Sequence, residues 1–85
     1  MKRYWYTTCP NCMHQGRLMV MKNLSSGQLY LHCEECESGW HDPLKVDDSG
    51  ARFLTLDADF EAEPARWDDL ENAGWQSYAT NIADD

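Results

Sequence analysis

Eighty-five residues, 42% hydrophobic and 26% charged, describe one small domain whose modest core needs a staple. No apolar stretch reaches the length that spans a bilayer, which excludes a helical membrane anchor. The formal net charge of -8 is uneven, with five Lys/Arg against four Asp/Glu in residues 1–45 and two against eleven in residues 46–85. That balance argues against a phosphate-backbone binder, which needs a basic surface.

Lys2 and Arg3 at the N-terminus are followed by Tyr4-Trp5-Tyr6 and not by an apolar h-region. No export signal is read, and the expected location is cytoplasmic. In a reducing cytosol, cysteine pairs are more often metal ligands or redox groups than disulfides.

Tyr4-Trp5-Tyr6-Thr7-Thr8 is rich in aromatic and β-branched residues and reads as a strand leading into Cys9. Residues 17–22 read as a second strand, 23–27 as a hairpin turn around Ser25-Ser26-Gly27, and 28–32 as the return strand into Cys33. Asp42-Pro43 and the cluster Asp47-Asp48-Ser49-Gly50 form a link. Arg52-Phe53-Leu54-Thr55-Leu56 reads as another short strand.

Asp57, Asp59, Glu61 and Glu63 then alternate with Ala58, Phe60 and Ala62. If this segment is extended, every acid shares one face; if helical, the acids spread around the cylinder. Pro64 suits a first helical turn, Trp67, Leu70 and Ala73 recur at a spacing of three, and Gly74 suits a helix end. The expected helix covers 64–73, with Trp67 and Leu70 as its apolar stripe. Trp75, Tyr78, Ala79 and Ile82 fit either a second short helix or a terminal strand. The fold class expected is small α+β: a two-knuckle β-hairpin over 1–46, then an acidic strand-plus-helix extension over 47–85 packed on it.

All four cysteines fall into Cys9-Pro10-Asn11-Cys12 and Cys33-Glu34-Glu35-Cys36, a C-x₂-C-x₂₀-C-x₂-C pattern. Two intervening residues let a tight turn aim both sulfurs at one point. Two such turns joined by a hairpin supply a closed tetrahedron at Zn–S distances of about 2.3 Å. One structural Zn²⁺ on Cys9, Cys12, Cys33 and Cys36 is the expected cofactor. A rubredoxin-type iron site shares this ligand set. Two disulfides would require export, and a thioredoxin-like role would require a βαβ context that is missing. His14, His32 and His41 sit near the knuckles, but four cysteines already complete the set.

This pattern resembles the zinc-ribbon superfamily over about residues 5–41. Its knuckles often read C-P-x-C-G; here Met13 and Glu37 stand at the glycine positions. The resemblance implies a metal-stapled ribbon and leaves function open, since such ribbons serve transcription, translation and scaffolding. A Cys₄ set has no open position for water or substrate, and no phosphate loop, H-E-x-x-H or nucleophile elbow is present, so the chain is read as a non-enzyme.

The remaining features point to binding. Asp57, Asp59, Glu61, Glu63, Asp68, Asp69 and Trp75 are the candidate partner-binding residues, an anionic surface with an aromatic anchor for a basic protein. A small, acidic, zinc-stapled chain is similar in size and charge to bacterial immunity or antitoxin-type inhibitors, which implies a basic toxin domain as partner. Nucleic-acid binding is the alternative, through Lys2, Arg3, Arg17 and Lys22 with Tyr4, Trp5 and Tyr6. A thiol redox role is a third.

Overall fold

The structure is a computed structural model and describes residues 2–57 and 59–84. Its strands are β1 (Lys2–Thr8), β2 (Arg17–Asn23), β3 (Leu29–Cys33), β4 (Ser38–Trp40), β5 (Phe53–Leu54), β6 (Ala62–Pro64) and β7 (Asn81–Asp84). One short helix, α1 (Trp67–Ala73), lies between the last two strands. The sheet runs β5-β4-β3-β2-β1-β7, with β6 pairing with β2 beside that path, and every pairing is antiparallel.

The central hairpin forms as its sequence indicates. Asn23 Oδ1 accepts hydrogen bonds from the backbone N–H groups of Ser25 and Ser26, and Gly27, with φ 78°, closes the turn onto Asn23 O at 2.7 Å. An Asn side chain that bonds its own backbone two residues on, followed by glycine, builds such a turn without strain. Five registered pairs from Lys22↔Leu29 to Leu18↔Cys33 then carry the hairpin down to the cysteines.

The fold is far richer in β-structure than the expected α+β class, and this corrects that reading. Three strands lack the length to announce themselves. β4 follows the second knuckle and pairs with β3 at Leu31↔Trp40. β6 takes the end of β2 that β1 leaves free, through Met21↔Pro64, Lys22↔Glu63 and Asn23↔Ala62. β7 pairs with β1 from Lys2↔Asp84 to Trp5↔Asn81. Three or four residues have too little propensity of their own, so an adjacent unpaired edge decides their state. β1 lies between β2 and β7, and its register on β2 shifts between Trp5 and Thr8. A bulge of this kind bends the strand and leaves carbonyls unpaired. Asn81 Nδ2 donates to Tyr6 O at 2.9 Å and so fills one of them.

Two further expectations are corrected. The alternating acids form neither one strand nor one helix. A 3₁₀ turn spans Thr55–Asp57, Asp59 to Glu61 are irregular, and only Ala62–Pro64 is extended. Ala58, and the side chain of Asp57, lie outside the described residues. The helix begins at Trp67 and not at Pro64, because Pro64 ends β6 and Ala65 N donates to Val20 O at 3.0 Å. At the helix start, Asp69 Oδ2 accepts from Arg66 N at 3.0 Å. Gly74 closes the other end as expected, with φ 72° and the paired bonds Gly74 N to Glu71 O and Trp75 N to Leu70 O.

The core sits between the sheet and α1. Leu18, Val20, Leu31, Trp40 and Leu70 are buried, and Tyr4, Tyr6 and Trp75 pack partly against them. Trp67 does not join Leu70 there: it is 43% exposed and leans on Tyr4 with ring centroids 5.6 Å apart. Among the described residues, no helix is long and apolar enough to cross a membrane.

Candidate metal centre

Each knuckle begins where a strand ends. In the first, Cys9 follows β1 and Pro10–Cys12 forms a 3₁₀ turn, for which the fixed φ of Pro10 is suited. Met13 and His14 then take left-handed conformations, φ 58° and 64°, and reverse the chain. The bonds His14 N to Cys9 O and Cys9 N to Gly16 O, both 2.8 Å, lock the reversal. In the second, Cys33 ends β3, Glu37 N bonds Cys33 O at 3.2 Å, and Glu37 takes φ 59°. Met13 and Glu37 therefore hold the left-handed conformation that glycine adopts without cost.

The pair Leu18↔Cys33, and Thr8↔Arg17 beside it, bring the knuckles face to face. The four Sγ atoms all lie within 4.8 Å of one another. Cys9 and Cys36 sulfurs are 3.7 Å apart, and those of Cys12 and Cys33 are 3.6 Å apart. A tetrahedral ion with bonds of about 2.3 Å requires sulfurs about 3.8 Å apart, so the cage fits one metal ion. All four cysteines are free of disulfides. None of His14, His32 and His41 belongs to the group. His14 contacts Thr8 Oγ1, His32 pairs with Glu37, and His41 stacks on Phe53 at 4.4 Å.

Burial is unequal across the cage. Cys9 and Cys33 are fully buried, whereas Cys12 and Cys36 are partly exposed. Burial pushes the Cys9 and Cys33 thiols up, because a lone thiolate is costly away from water. Burial raises Cys36 too, but bonds from Ser38, Cys33 and Asn11 outweigh it and bring that thiol down to about 6. Backbone N–H groups of Glu35 and Cys36 point at Cys33 Sγ, both at 3.4 Å. A bound cation would reverse the burial penalty and hold all four as thiolates.

Three residues that the motif does not reveal shape this site. Gly16 is one: a Cβ there would stand 2.4 Å from Cys33 Sγ. Ser38 is fully buried, with Oγ 3.1 Å from Cys36 Sγ. Arg52 Nη1 donates to that Oγ at 3.2 Å. Asn11, inside the first knuckle, reaches both Ser38 Oγ at 3.2 Å and Cys36 Sγ at 3.8 Å. No sequence signal marks Gly16, Ser38 or Arg52, since none lies at a motif position.

The candidate partner-binding residues differ in exposure and in what engages them. Asp59, Glu61 and Asp68 are exposed, and Glu63 is half-buried opposite Lys22 on β2. Asp69 is engaged twice, by Arg66 N and by Lys22 Nζ at 3.0 Å. Trp75 is half-buried against the core and meets Tyr78 edge-on at 6.0 Å. It lines a groove of about 600 Å³ with Lys22, Gln28, His41 and Asp69.

No family model, no curated protein and no solved structure matches the chain.

Proposed function

We propose that this chain is a non-catalytic, zinc-stapled protein-interaction module of zinc-ribbon type. One structural Zn²⁺ sits on Cys9, Cys12, Cys33 and Cys36, and the acidic surface of the C-terminal half engages a basic protein. The observation that carries the reading is the closed cage: four sulfurs of spacing suited to one ion, with no coordination position left for substrate. A site of this kind fixes the fold, because the thiolates converge only when the chain is folded. Binding then belongs to the surface. Asp59, Glu61, Asp68 and Glu71 are exposed and supply the anionic field that steers a cationic partner. Size and charge favour an inhibitor of immunity or antitoxin type, with a basic toxin domain as the partner it blocks.

The nucleic-acid reading has less support. Arg17 is held by the Glu34 carboxylate, with Nη2 2.9 Å from Oε1, and also lies over the Trp5 ring. Lys22 is held by Asp69. Two of the four cations that would meet phosphate are thus paired within the chain.

Titrating the reduced, metal-free chain with Zn²⁺ tests the staple: far-ultraviolet dichroism should reach its folded value at one equivalent. Capture on immobilised protein tests the surface. A basic protein retained by wild type should be lost from the triple variant Asp59→Lys, Glu61→Lys, Glu63→Lys, with salt weakening the wild-type complex. Equal capture by both proteins would move the interface elsewhere.

A further inference from the structure

Arg52 lies outside both knuckles, and its guanidinium reaches into the sheet beside the cage. Nη1 donates to Ser38 Oγ, and Nε is buried with no hydrogen-bond partner. No ion pair to a carboxylate engages Arg52 among the described residues. A cation half-withdrawn from water without a counter-charge is costly. The missing counter-charge is available next door: four thiolates around one Zn²⁺ carry a net charge of about -2.

Ser38 connects the two. Its hydroxyl has two acceptor lone pairs and one proton. Asn11 Nδ2 and Arg52 Nη1 both donate to the oxygen, each at 3.2 Å. As a thiol, Cys36 Sγ donates to this oxygen at 3.1 Å; as a metal-bound thiolate it has no proton to give, and the Ser38 hydroxyl proton is left for the sulfur. Ser38 is fully buried, so no water competes for these bonds.

We infer that Arg52 is an outer-sphere positioning residue of the metal centre, orienting the Ser38 hydroxyl onto the Cys36 sulfur and balancing the negative charge of the loaded cage. This rests on the metal-binding reading above. The placement of Arg52 extends its consequence. Three residues on, Thr55 bonds Glu37 O twice, from N at 2.9 Å and from Oγ1 at 2.8 Å. The strap from Arg52 to Thr55 therefore grips the second knuckle at two successive residues, Glu37 and Ser38. Metal loading and ordering of the strap that leads into the acidic segment are coupled by those bonds. Partners of metal ligands at this remove alter metal affinity by roughly 10- to 100-fold.

The test uses the full chain with zinc or cobalt as the only added metal. Arg52→Met keeps the aliphatic stem and removes the charge. It should weaken Zn²⁺ binding, measured against a chromophoric chelator, by roughly 10-fold or more. Ser38→Ala should weaken it in the same direction, and Arg52→Lys should recover part of the loss. In the Co²⁺-loaded proteins, the sulfur-to-cobalt charge-transfer band should move to lower energy in Arg52→Met and Ser38→Ala, because a sulfur without its hydrogen bond donates more strongly. Thr55→Val, which loosens the strap without touching charge or Ser38, should leave the band in place. Should Arg52→Met fail to fold, Ser38→Ala and Arg52→Lys carry the comparison. Wild-type affinity and an unmoved band in Arg52→Met and Ser38→Ala would overturn the assignment while leaving the metal site standing. A wild-type chain that takes up neither metal would overturn both.

Discussion

Gly16 and Cys33 are in such close approach that a Cβ on residue 16 would lie 2.4 Å from the Cys33 sulfur. The same Cβ would meet Glu35 Cβ at 3.0 Å. Gly16 is thus the floor of the second knuckle, although it sits in the first. Gly16→Ala must push Cys33 Sγ out of the cage, and zinc affinity should fall by roughly 100-fold. Gly27→Ala is the control: its φ of 78° is strained for alanine, but nothing lies within 4 Å of the added carbon. It should cost about 1 kcal/mol in folding and leave zinc affinity unchanged. Competition with a chelator and a denaturation curve separate the two effects.

The cysteine pattern made the cage legible because two-residue spacing within a knuckle is a local, geometric requirement. The hairpin between the knuckles was equally legible from Asn23 to Gly27, where the turn chemistry is explicit. Gly16, Ser38 and Arg52 were not, because their roles exist only once β2, β4 and the 52–55 strap are adjacent. β6 was obscured for the same reason: Ala62–Pro64 becomes a strand only against the free edge of β2. For the last segment the sequence allowed a short helix or a terminal strand, and pairing with β1 makes Asn81–Asp84 the strand. The helix start misled because Pro64 is compatible with a first helical turn and with the end of an edge strand alike.

Met13 occupies φ 58° with its side chain 85% exposed. It contributes little packing and bears the left-handed penalty of about 1–2 kcal/mol. Met13→Gly removes that penalty and returns about half of it as unfolded-chain entropy. The variant should gain about 0.5–1 kcal/mol in chemical denaturation of the zinc-loaded protein. A loss of stability would contradict the conformational account of the first knuckle.

Trp40 and Trp67 should respond in opposite ways to truncation. Trp40 is 1% exposed and lies in the core. Trp40→Ala should cost about 3–5 kcal/mol and unfold a domain this small. Trp67 is 43% exposed and leans on Tyr4 at the edge of the core, so Trp67→Ala should cost less, about 1 kcal/mol. Thermal melts of the two variants distinguish a buried from a surface indole.

Asp69 ties the start of α1 to β2: its carboxylate accepts from Arg66 N at the helix start and from Lys22 Nζ on β2. The Arg66 backbone N–H, ahead of the Lys22 charge, holds its carboxyl below the usual range. A carboxyl whose folded pKa is depressed stabilises the fold at pH values above its unfolded pKa of about 3.9. That stabilisation fades as pH falls through the lower, folded value. Asp69→Asn should therefore be less stable than wild type by about 1–2 kcal/mol at pH 7. The difference should stay constant down to pH 5 and close only below about pH 4. Proton competition for the thiolates acts equally on both proteins and cancels in the comparison. A difference that closes by pH 5 would assign the effect to another group.

The central claim is that the four cysteines hold one zinc ion as a closed structural cage. Native mass spectrometry of the purified chain, with alkylation of the same sample before and after chelation, tests it most directly. One zinc per chain, four thiols protected from alkylation, and loss of both protection and folded dichroism on chelation is the result expected. A folded chain that carries no metal and exposes four reactive thiols would contradict it, and one iron per chain would keep the cage while replacing its ion.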